Sequence, residues 1–116
     1  MSAQNKAIID TANKAFEHNN VEELLALCTD DFSWTMVGHP PAIGKAAVRE
    51  WMSKAPPEMP KFTVDATIAD GDYVTCVGNM TMPENGEDVP YAYCDVWRLE
   101  AEKIVELKAF VIKTKQ

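Results

Sequence analysis

Apolar residues in the first part of the chain recur every three or four positions, the spacing of a helix with one buried side. This pattern predicts a first helix over residues 2–18, closed by Asn19 and Asn20. Asn20 is then expected to begin a second, shorter helix, because Glu23 stands at the third helical position, as in a capping box. The buried side of that second helix consists of Leu24, Leu25, Leu27 and Cys28.

A short strand, a loop and a third helix are predicted next. Residues 32–37 form a short run that suits a strand. Residues 38–44 contain two prolines and two glycines, which remove a backbone donor or loosen the chain, so a loop is expected there. A third helix is predicted over residues 45–54 and is stopped by Pro56-Pro57. Its apolar positions are Val48, Trp51, Met52 and Ala55.

Beyond Pro60 the hydrophobic period changes from helical to alternating, which is typical of half-buried strands. Four strands are predicted, over residues 62–69, 73–82, 90–100 and 103–114. Short turns join them at Asp70-Gly71, Asn85-Gly86 and Ala101-Glu102. Consecutive strands with short turns form an antiparallel meander. Because the helices all precede these strands, the pattern indicates an α+β fold in a single domain of residues 1–116.

The alternation also predicts which side of each strand faces the interior. The inward face of the third of these strands holds Tyr91, Tyr93, Asp95, Trp97 and Leu99, and that of the last strand holds Val105, Leu107, Ala109 and Val111. On the first strand the alternating apolar set is Phe62, Val64, Ala66 and Ile68. The outward face also keeps apolar side chains, at Ala92, Cys94, Val96, Ile104, Phe110 and Ile112. An exposed apolar patch of this kind often marks a partner surface, so a homodimer through the outer sheet face is expected.

Asp95 is the chemically informative position, because it is a carboxylic acid in the middle of an apolar face. Burial disfavours the charged form, so the pKa of Asp95 is expected to be raised. A carboxyl group perturbed in this way inside a cavity is a candidate functional group. The alternative is a structural role, in which Asp95 bonds a helix N-terminus, a tyrosine hydroxyl or a buried water. Both roles remain open at this point.

Composition excludes several classes of function. The net charge of −7 argues against a nucleic-acid surface, which needs Lys and Arg to neutralise phosphates. The chain shows no signal-peptide run and no stretch long enough to span a membrane, so a cytoplasmic protein is predicted. Its three cysteines, none in a C-x-x-C motif, are expected to be reduced. Two distant histidines make no metal-ligand set and no glycine-rich phosphate motif is present, so no cofactor is predicted.

Three segments resemble parts of one superfamily, in the order in which they occur there. Residues 26–32 (ALCTDDF) are similar to its helix-two exit, and residues 44–51 (GKAAVREW) to its third-helix entry. Residues 95–106 (DVWRLEAEKIVE) resemble its closing hairpin. The chain is thereby identified as a SnoaL-like, ketosteroid-isomerase-like member of the nuclear transport factor two-like superfamily. The resemblance implies a cone-shaped roll, with three N-terminal helices packed on a strongly curved, mainly antiparallel sheet around an apolar pocket.

The chain departs from the catalytic sets of that superfamily. In ketosteroid isomerase an Asp base moves a proton, while a Tyr and a neutral Asp form the oxyanion hole. The resemblance places the neutral Asp on Asp95, the base on Met36 and the Tyr on Ala12. The final-strand aspartate of SnoaL-type cyclases has no counterpart in residues 107–112. Two of the three isomerase groups are therefore absent, and Met36 favours ligand binding over proton abstraction.

His39 and a set of bulky side chains complete the candidates. His39 lies in the loop near the expected pocket mouth, where its unperturbed pKa suits proton transfer near neutral pH; the alternative is an ordinary exposed histidine. The predicted ligand-binding side chains are Trp34, Met36, Trp51, Met80, Tyr93, Trp97, Leu107 and Ala109. Aromatic and thioether side chains of this kind suit a flat hydrophobic ligand. Such sets more often form a plain core, but the opening expected in the cone fold favours a ligand here.

Two functional hypotheses follow, from different classes. In the first, the domain binds a small hydrophobic, cyclic molecule and catalyses proton transfer of the isomerase, cyclase or hydratase type. Asp95 then acts as acid or hydrogen-bond donor, and His39 as base. In the second, the chain is a non-catalytic homodimeric interaction domain that acts through its outer sheet face. The sequence leaves open whether the protein is an enzyme, since one fold supports many functions.

Overall fold

A computed structural model describes residues 2–54 and 61–114. Its helices are α1 (Ser2–Glu17), α2 (Val21–Ala26) and α3 (Lys45–Ser53). Its strands are β1 (Cys28–Met36), β2 (Ala42–Ile43), β3 (Lys61–Asp70), β4 (Tyr73–Glu84), β5 (Glu87–Glu100) and β6 (Lys103–Lys113). The predicted Ala55, Pro56-Pro57 and Pro60 positions lie outside the described residues. The helices and the four-stranded meander occur in the predicted order, so the α+β fold is confirmed.

The cap of α2 has the predicted side-chain bonds. The side-chain oxygen of Asn20 accepts a hydrogen bond from the backbone N–H of Glu23 at 3.1 Å, and its Nδ2 donates to Glu23 Oε2 at 3.0 Å. The first bond satisfies an amide that a helix start otherwise leaves unpaired, whereas the backbone N–H of Asn20 donates to the Ala15 oxygen at 2.8 Å and not to Glu23. The helix ends earlier than predicted, because Cys28 already belongs to β1.

The six strands form one mixed sheet in the order β2-β1-β6-β5-β4-β3. Strands β3 to β6 pair antiparallel with their chain neighbours, as predicted. The turn at Asn85-Gly86 has φ values of 52° and 82°, which match a two-residue hairpin turn of the type that Asn-Gly favours. Two features were not predicted: β1 pairs parallel with β6, and the two-residue β2 lies within the expected loop.

The predicted inward face of β3 is wrong beyond Val64. The register with β4 shifts between Val64 and Ala66, which places an extra residue, Asp65, in β3. A bulge of this kind exchanges the two faces of a strand, since side chains alternate with a period of two. Thr67 therefore lies opposite Cys76 on the inner side, while Ile68 is 61% exposed.

The start of β6 shows a similar correction. The register between β5 and β6 shifts between Arg98 and Leu99. Ile104, which was expected on the outer face, is consequently fully buried, at 0% exposed, and pairs with Cys28 of β1. From Leu107 onward the predicted alternation holds, with Leu107 and Ala109 buried.

The core lies between the helices and the inner face of the sheet. Helix α1 packs on β3 and β4, whereas α3 packs on β1 and β2. The largest fully buried side chains include Trp97, Phe32, Ile9, Leu24, Leu99 and Leu107. The helices leave part of the inner face of β4, β5 and β6 uncovered, and this part borders a cavity.

Candidate functional site

A cavity of about 370 Å³ opens between the end of α1, the last turn of α3 and the inner face of the sheet. This volume lies within the range of roughly 300–1,000 Å³ that is typical of small-molecule sites. The wall is made by fifteen side chains: Asn13, Phe16, Asn19, Trp34, Met36, Trp51, Met52, Phe62, Met80, Met82, Tyr93, Asp95, Leu107, Ala109 and Val111. Most of them are apolar, so the few polar groups would determine how a ligand is oriented.

Asp95 lies in the middle of this wall. The strand register aligns it with Cys76 of β4 on one side and Ala109 of β6 on the other, and Met36 of β1 follows Ala109. Burial of the carboxyl group raises the pKa of Asp95 to about 7. None of the hydrogen bonds between described side chains involves Asp95. The structural alternative of a tyrosine partner is therefore not observed within the described residues.

Tyr93 contributes its ring to the cavity but uses its hydroxyl elsewhere. The Tyr93 hydroxyl donates a hydrogen bond of 2.7 Å to the backbone oxygen of Thr63 on β3. The ring passes over Gly78 of β4 to reach it, since a Cβ at that position would lie 2.9 Å from the Tyr93 hydroxyl and 1.9 Å from the Thr63 oxygen. Burial, and secondarily the charge of Asp95, raises the pKa of Tyr93, which keeps the phenol protonated.

An aromatic cluster forms the side of the cavity near α1 and α3. The Trp34 ring meets Phe16 at a centroid distance of 5.2 Å and Trp51 at 4.6 Å, both in edge-to-face geometry. Such pairs stabilise a fixed arrangement of rings. Trp97 does not line the cavity: it is fully buried, with its ring 6.1 Å from that of Phe16. Trp97 thus supports this wall from behind.

The structure does not place His39 in the same cavity as Asp95. His39 lines a neighbouring recess of about 350 Å³ together with Trp34, Met36, Pro40, Ala42 and Trp51. The backbone N–H of His39 donates to the Met36 oxygen at 2.9 Å, which closes the turn after β1. Direct proton exchange between His39 and Asp95 is therefore not supported by their positions.

The other predicted ligand-binding residues lie where the prediction put them, on the cavity wall: Trp34, Met36, Trp51, Met80, Tyr93, Leu107 and Ala109. Three further wall residues, Met82, Phe62 and Val111, were not predicted to bind a ligand. Each lies on the same side of its strand as the inward-facing residues, so the alternation along the strand could have identified them. Asn13 and Asn19 had no such signal, because their position depends on how α1 crosses the sheet. Asn13 Nδ2 lies 3.7 Å from Cys76 Sγ.

Other chemistry finds little support in the described residues. Burial raises the pKa of the Cys28 thiol to about 12, and its Sγ donates to the Leu24 oxygen at 3.3 Å, so Cys28 is not an activated nucleophile. Ala12, at the position of the isomerase tyrosine, is fully buried. Within residues 2–54 and 61–114 no group of three potential metal ligands occurs, and no described helix has the length and hydropathy to cross a membrane.

The fold and cavity define an α+β domain of the nuclear transport factor two-like class. A family model for the SnoaL-like domain matches residues 9–107, and the chain belongs to this family. No curated protein sequence matches the chain.

Solved structures share the fold at low sequence identity. A candidate ketosteroid isomerase from Kribbella flavida superposes with a TM-score of 0.85 at 16% identity, over 99% of this chain and 82% of its own. A nuclear transport factor two-like protein of unknown function from Burkholderia pseudomallei gives 0.85 at 20% identity, over 94% and 90%. An epoxide hydrolase of the LEH-like type from M. tuberculosis gives 0.83 at 14% identity, over 95% and 84%. These likenesses establish the fold.

Proposed function

We propose that the chain binds a small, cyclic, hydrophobic molecule in the 370 Å³ cavity and transfers a proton on it through Asp95. The observation that supports this most is a half-buried carboxyl group with a pKa of about 7 on a mostly apolar wall. A group with this pKa is present in both protonation states near neutral pH, so it can act as acid or as base.

The chemistry that suits this wall is an isomerisation. Of the described side chains on the wall, Asp95 is the one carboxyl group, and Met36 stands where ketosteroid isomerase has its base. One carboxylate can take a proton from one carbon of the ligand and return the same proton to another carbon. Substrate and product are then isomers, and no second acid or base is consumed. Hydrolysis would require a second group beside Asp95, so that one activates water and the other protonates the leaving group. Among the described wall residues the remaining side-chain oxygens belong to Asn13, Asn19 and Tyr93, and the Tyr93 hydroxyl already bonds Thr63.

The name of one structural neighbour agrees with an isomerisation. It is described as a candidate ketosteroid isomerase, whereas another neighbour is described as an epoxide hydrolase. At this low sequence identity the neighbours share the fold of this chain but do not identify its substrate. We expect the protein to act in the cytoplasm, where its three free thiols would stay reduced.

A thermal-shift screen against steroids, aromatic polyketides, terpenoid epoxides and fatty acids tests the proposed binding. A ligand at a hundredfold excess over its Kd should stabilise the fold by about 2.7 kcal/mol. Ala109→Leu, which adds bulk beside Asp95, should remove the shift, whereas Lys108→Ala on the opposite face should keep it. A shift that survives Ala109→Leu would mean that the ligand binds outside the cavity.

Asp95→Asn tests the role of the carboxyl group separately from that of the other wall residues. It should abolish turnover and weaken a ligand that bonds the carboxyl roughly threefold to tenfold, the range for one hydrogen bond. Folding should be preserved, because Asn keeps the shape of the side chain. If turnover survives in Asp95→Asn, the proton is transferred by another group and this assignment is wrong.

A second proposal concerns the outer sheet face, which we define as the outward side chains of β4, β5 and β6. Phe110 is 41% exposed and Ile112 is 68% exposed, and the register aligns Val77, Cys94 and Phe110 in one row across the three strands. This contiguous apolar row suits a second copy of the chain packed face to face about a twofold axis. In this alternative the chain is a non-catalytic dimeric interaction domain.

Sedimentation at micromolar concentration tests the dimer. Phe110→Glu should convert a dimer into a monomer, whereas Glu102→Gln at the β5–β6 turn should leave it intact. Cys94 supplies an independent readout, since it lies in the same row and the other two thiols are buried. Mild oxidation should link two copies through Cys94 if the twofold axis passes near the centre of β5. A wild-type protein that sediments only as a monomer would refute the proposal.

A further inference from the structure

The cavity beside Asp95 and the recess beside His39 share three wall residues. Trp34, Met36 and Trp51 line both spaces, which measure about 370 and 350 Å³. The recess continues past these residues to Ala42 of β2, at the edge of the sheet. Trp51, near the end of α3, is 46% exposed, so one side of this shared wall is open to solvent.

The two spaces differ in the polar group that each presents. The cavity presents the carboxyl group of Asp95, whereas the recess is lined by the exposed His39 together with Trp51 and Pro40. A neutral or charged imidazole always keeps at least one N–H donor. The recess can therefore bond an acceptor oxygen at the end of an apolar body.

We propose that the recess is a second subsite of the same ligand, so that the ligand is an elongated ring system with an oxygen acceptor at the end that meets His39. This inference rests on the proposed function of the cavity. It gives His39 a binding role in place of the catalytic role expected from the sequence, because the imidazole lies outside the cavity that holds Asp95.

The sheet spacing sets the length of such a ligand. Met36 on β1 and Asp95 on β5 are separated by β6, through the pairs Met36 with Ala109 and Ala109 with Asp95. Two strand spacings place their backbones roughly 10 Å apart. His39 lies at the turn beyond Met36, so a ligand that reaches both polar groups must be longer than one ring.

A matched pair of biphenyls tests the subsite. Both probes carry a hydroxyl on one ring; on the other ring one carries a para-acetyl group and the other a para-isopropyl group of similar shape. Isothermal titration gives the Kd of each probe for the wild type, for His39→Ala and for His18→Ala. His18 is an exposed histidine that lines neither space, so it serves as the matched control.

The preference for the acetyl probe over the isopropyl probe should fall roughly threefold to tenfold in His39→Ala, the effect of one hydrogen bond, and should be unchanged in His18→Ala. NMR of the protein labelled at its two histidines gives a second readout without substitution, because the acetyl probe should shift the His39 ring signals and leave those of His18 in place. An unchanged preference in His39→Ala overturns the subsite.

Failure of the subsite can be told apart from failure of the cavity. If both biphenyls bind and Ala109→Leu removes them, while His39→Ala changes nothing, the cavity is the complete site and the subsite is refuted. If neither biphenyl binds, the elongated ligand is refuted, while the thermal-shift screen with Ala109→Leu still decides on the proposed cavity function.

Discussion

The two faces of β5 are both rich in apolar side chains, yet they lie in different surroundings. The inner face places Tyr93 and Asp95 on the wall of a cavity and buries Trp97 behind it. The outer face places Cys94 and Val96 in a partly exposed patch, near the contact of 3.7 Å between Arg98 and Glu106. The number of apolar residues on a face thus says little about its function. The two faces differ because the inner one carries a carboxyl group, Asp95, that has no hydrogen-bond partner among the described side chains.

The largest effect should come from Asp95, the carboxyl group on the inner face of β5. The pKa of Asp95 is about 7 in the fold and returns to about 3.8 in the unfolded chain. Between these pH values the folded protein binds the proton more tightly, so the free energy of unfolding should fall as pH rises from 4 to 7. The loss reaches at most about 4 kcal/mol, at 1.36 kcal/mol for each tenfold change in proton affinity.

Asp95→Asn should remove this loss, because the amide stays neutral at every pH. The variant should match the wild type near pH 4 and exceed its stability above pH 7. Urea unfolding of both proteins at several pH values measures the difference, from which the contributions of the other carboxylates cancel. If the free energy of unfolding depends on pH in the same way for both proteins, the Asp95 carboxyl is solvated. The proposed difference between the inner and outer faces of β5 would then be wrong.

Gly78 on the inner face of β4 should be the next most sensitive position. A Cβ at Gly78 would lie 1.9 Å from the backbone oxygen of Thr63, so Gly78→Ala must displace β3 and break the bond from Tyr93. We expect a loss of about 3 kcal/mol, the upper end for overpacking. Thr75→Ala, on the outer face of the same strand, should cost less than about 1 kcal/mol. Chemical denaturation compares the two, and equal losses would contradict the predicted asymmetry.

The smallest effect compares the cysteines of the two faces. Cys76 is fully buried on the inner face, so Cys76→Ala should cost about 1 kcal/mol of stability, whereas Cys94→Ala should stay within about 0.5 kcal/mol. In the native protein a thiol reagent should label Cys94 first and reach Cys76 and Cys28 only on unfolding. Mass spectrometry after timed labelling checks this order, and early labelling of Cys76 would mean that the inner face opens readily.

Local chemistry was sufficient to predict several elements. The helix start at Asn20 and the hairpin turn at Asn85-Gly86 follow from side chains only a few residues apart, so no distant contact can change them. The inward face of β5 was equally predictable, because β5 pairs with β4 without any register shift and so keeps its alternation along the strand. From this face alone, Asp95 and Tyr93 could be assigned to the interior.

Other features depended on contacts between distant residues. The bulge in β3 exists only in the pairing with β4, and it moved Ile68 to the surface and Thr67 to the inside. The parallel pairing of β1 with β6 decides that Met36 joins the wall that holds Asp95, and the turn after β1 decides that His39 does not.

The sequence by itself therefore determined the order of the elements, their turns and the carboxyl group on the inner face, since these follow from short-range spacing and period. The tertiary structure decided which groups share a space. It separated His39 from Asp95 and left the Asp95 carboxyl without a partner among the described residues. The physical reason is that burial and its effect on a pKa depend on every segment that surrounds a group, and these segments come from opposite ends of the chain.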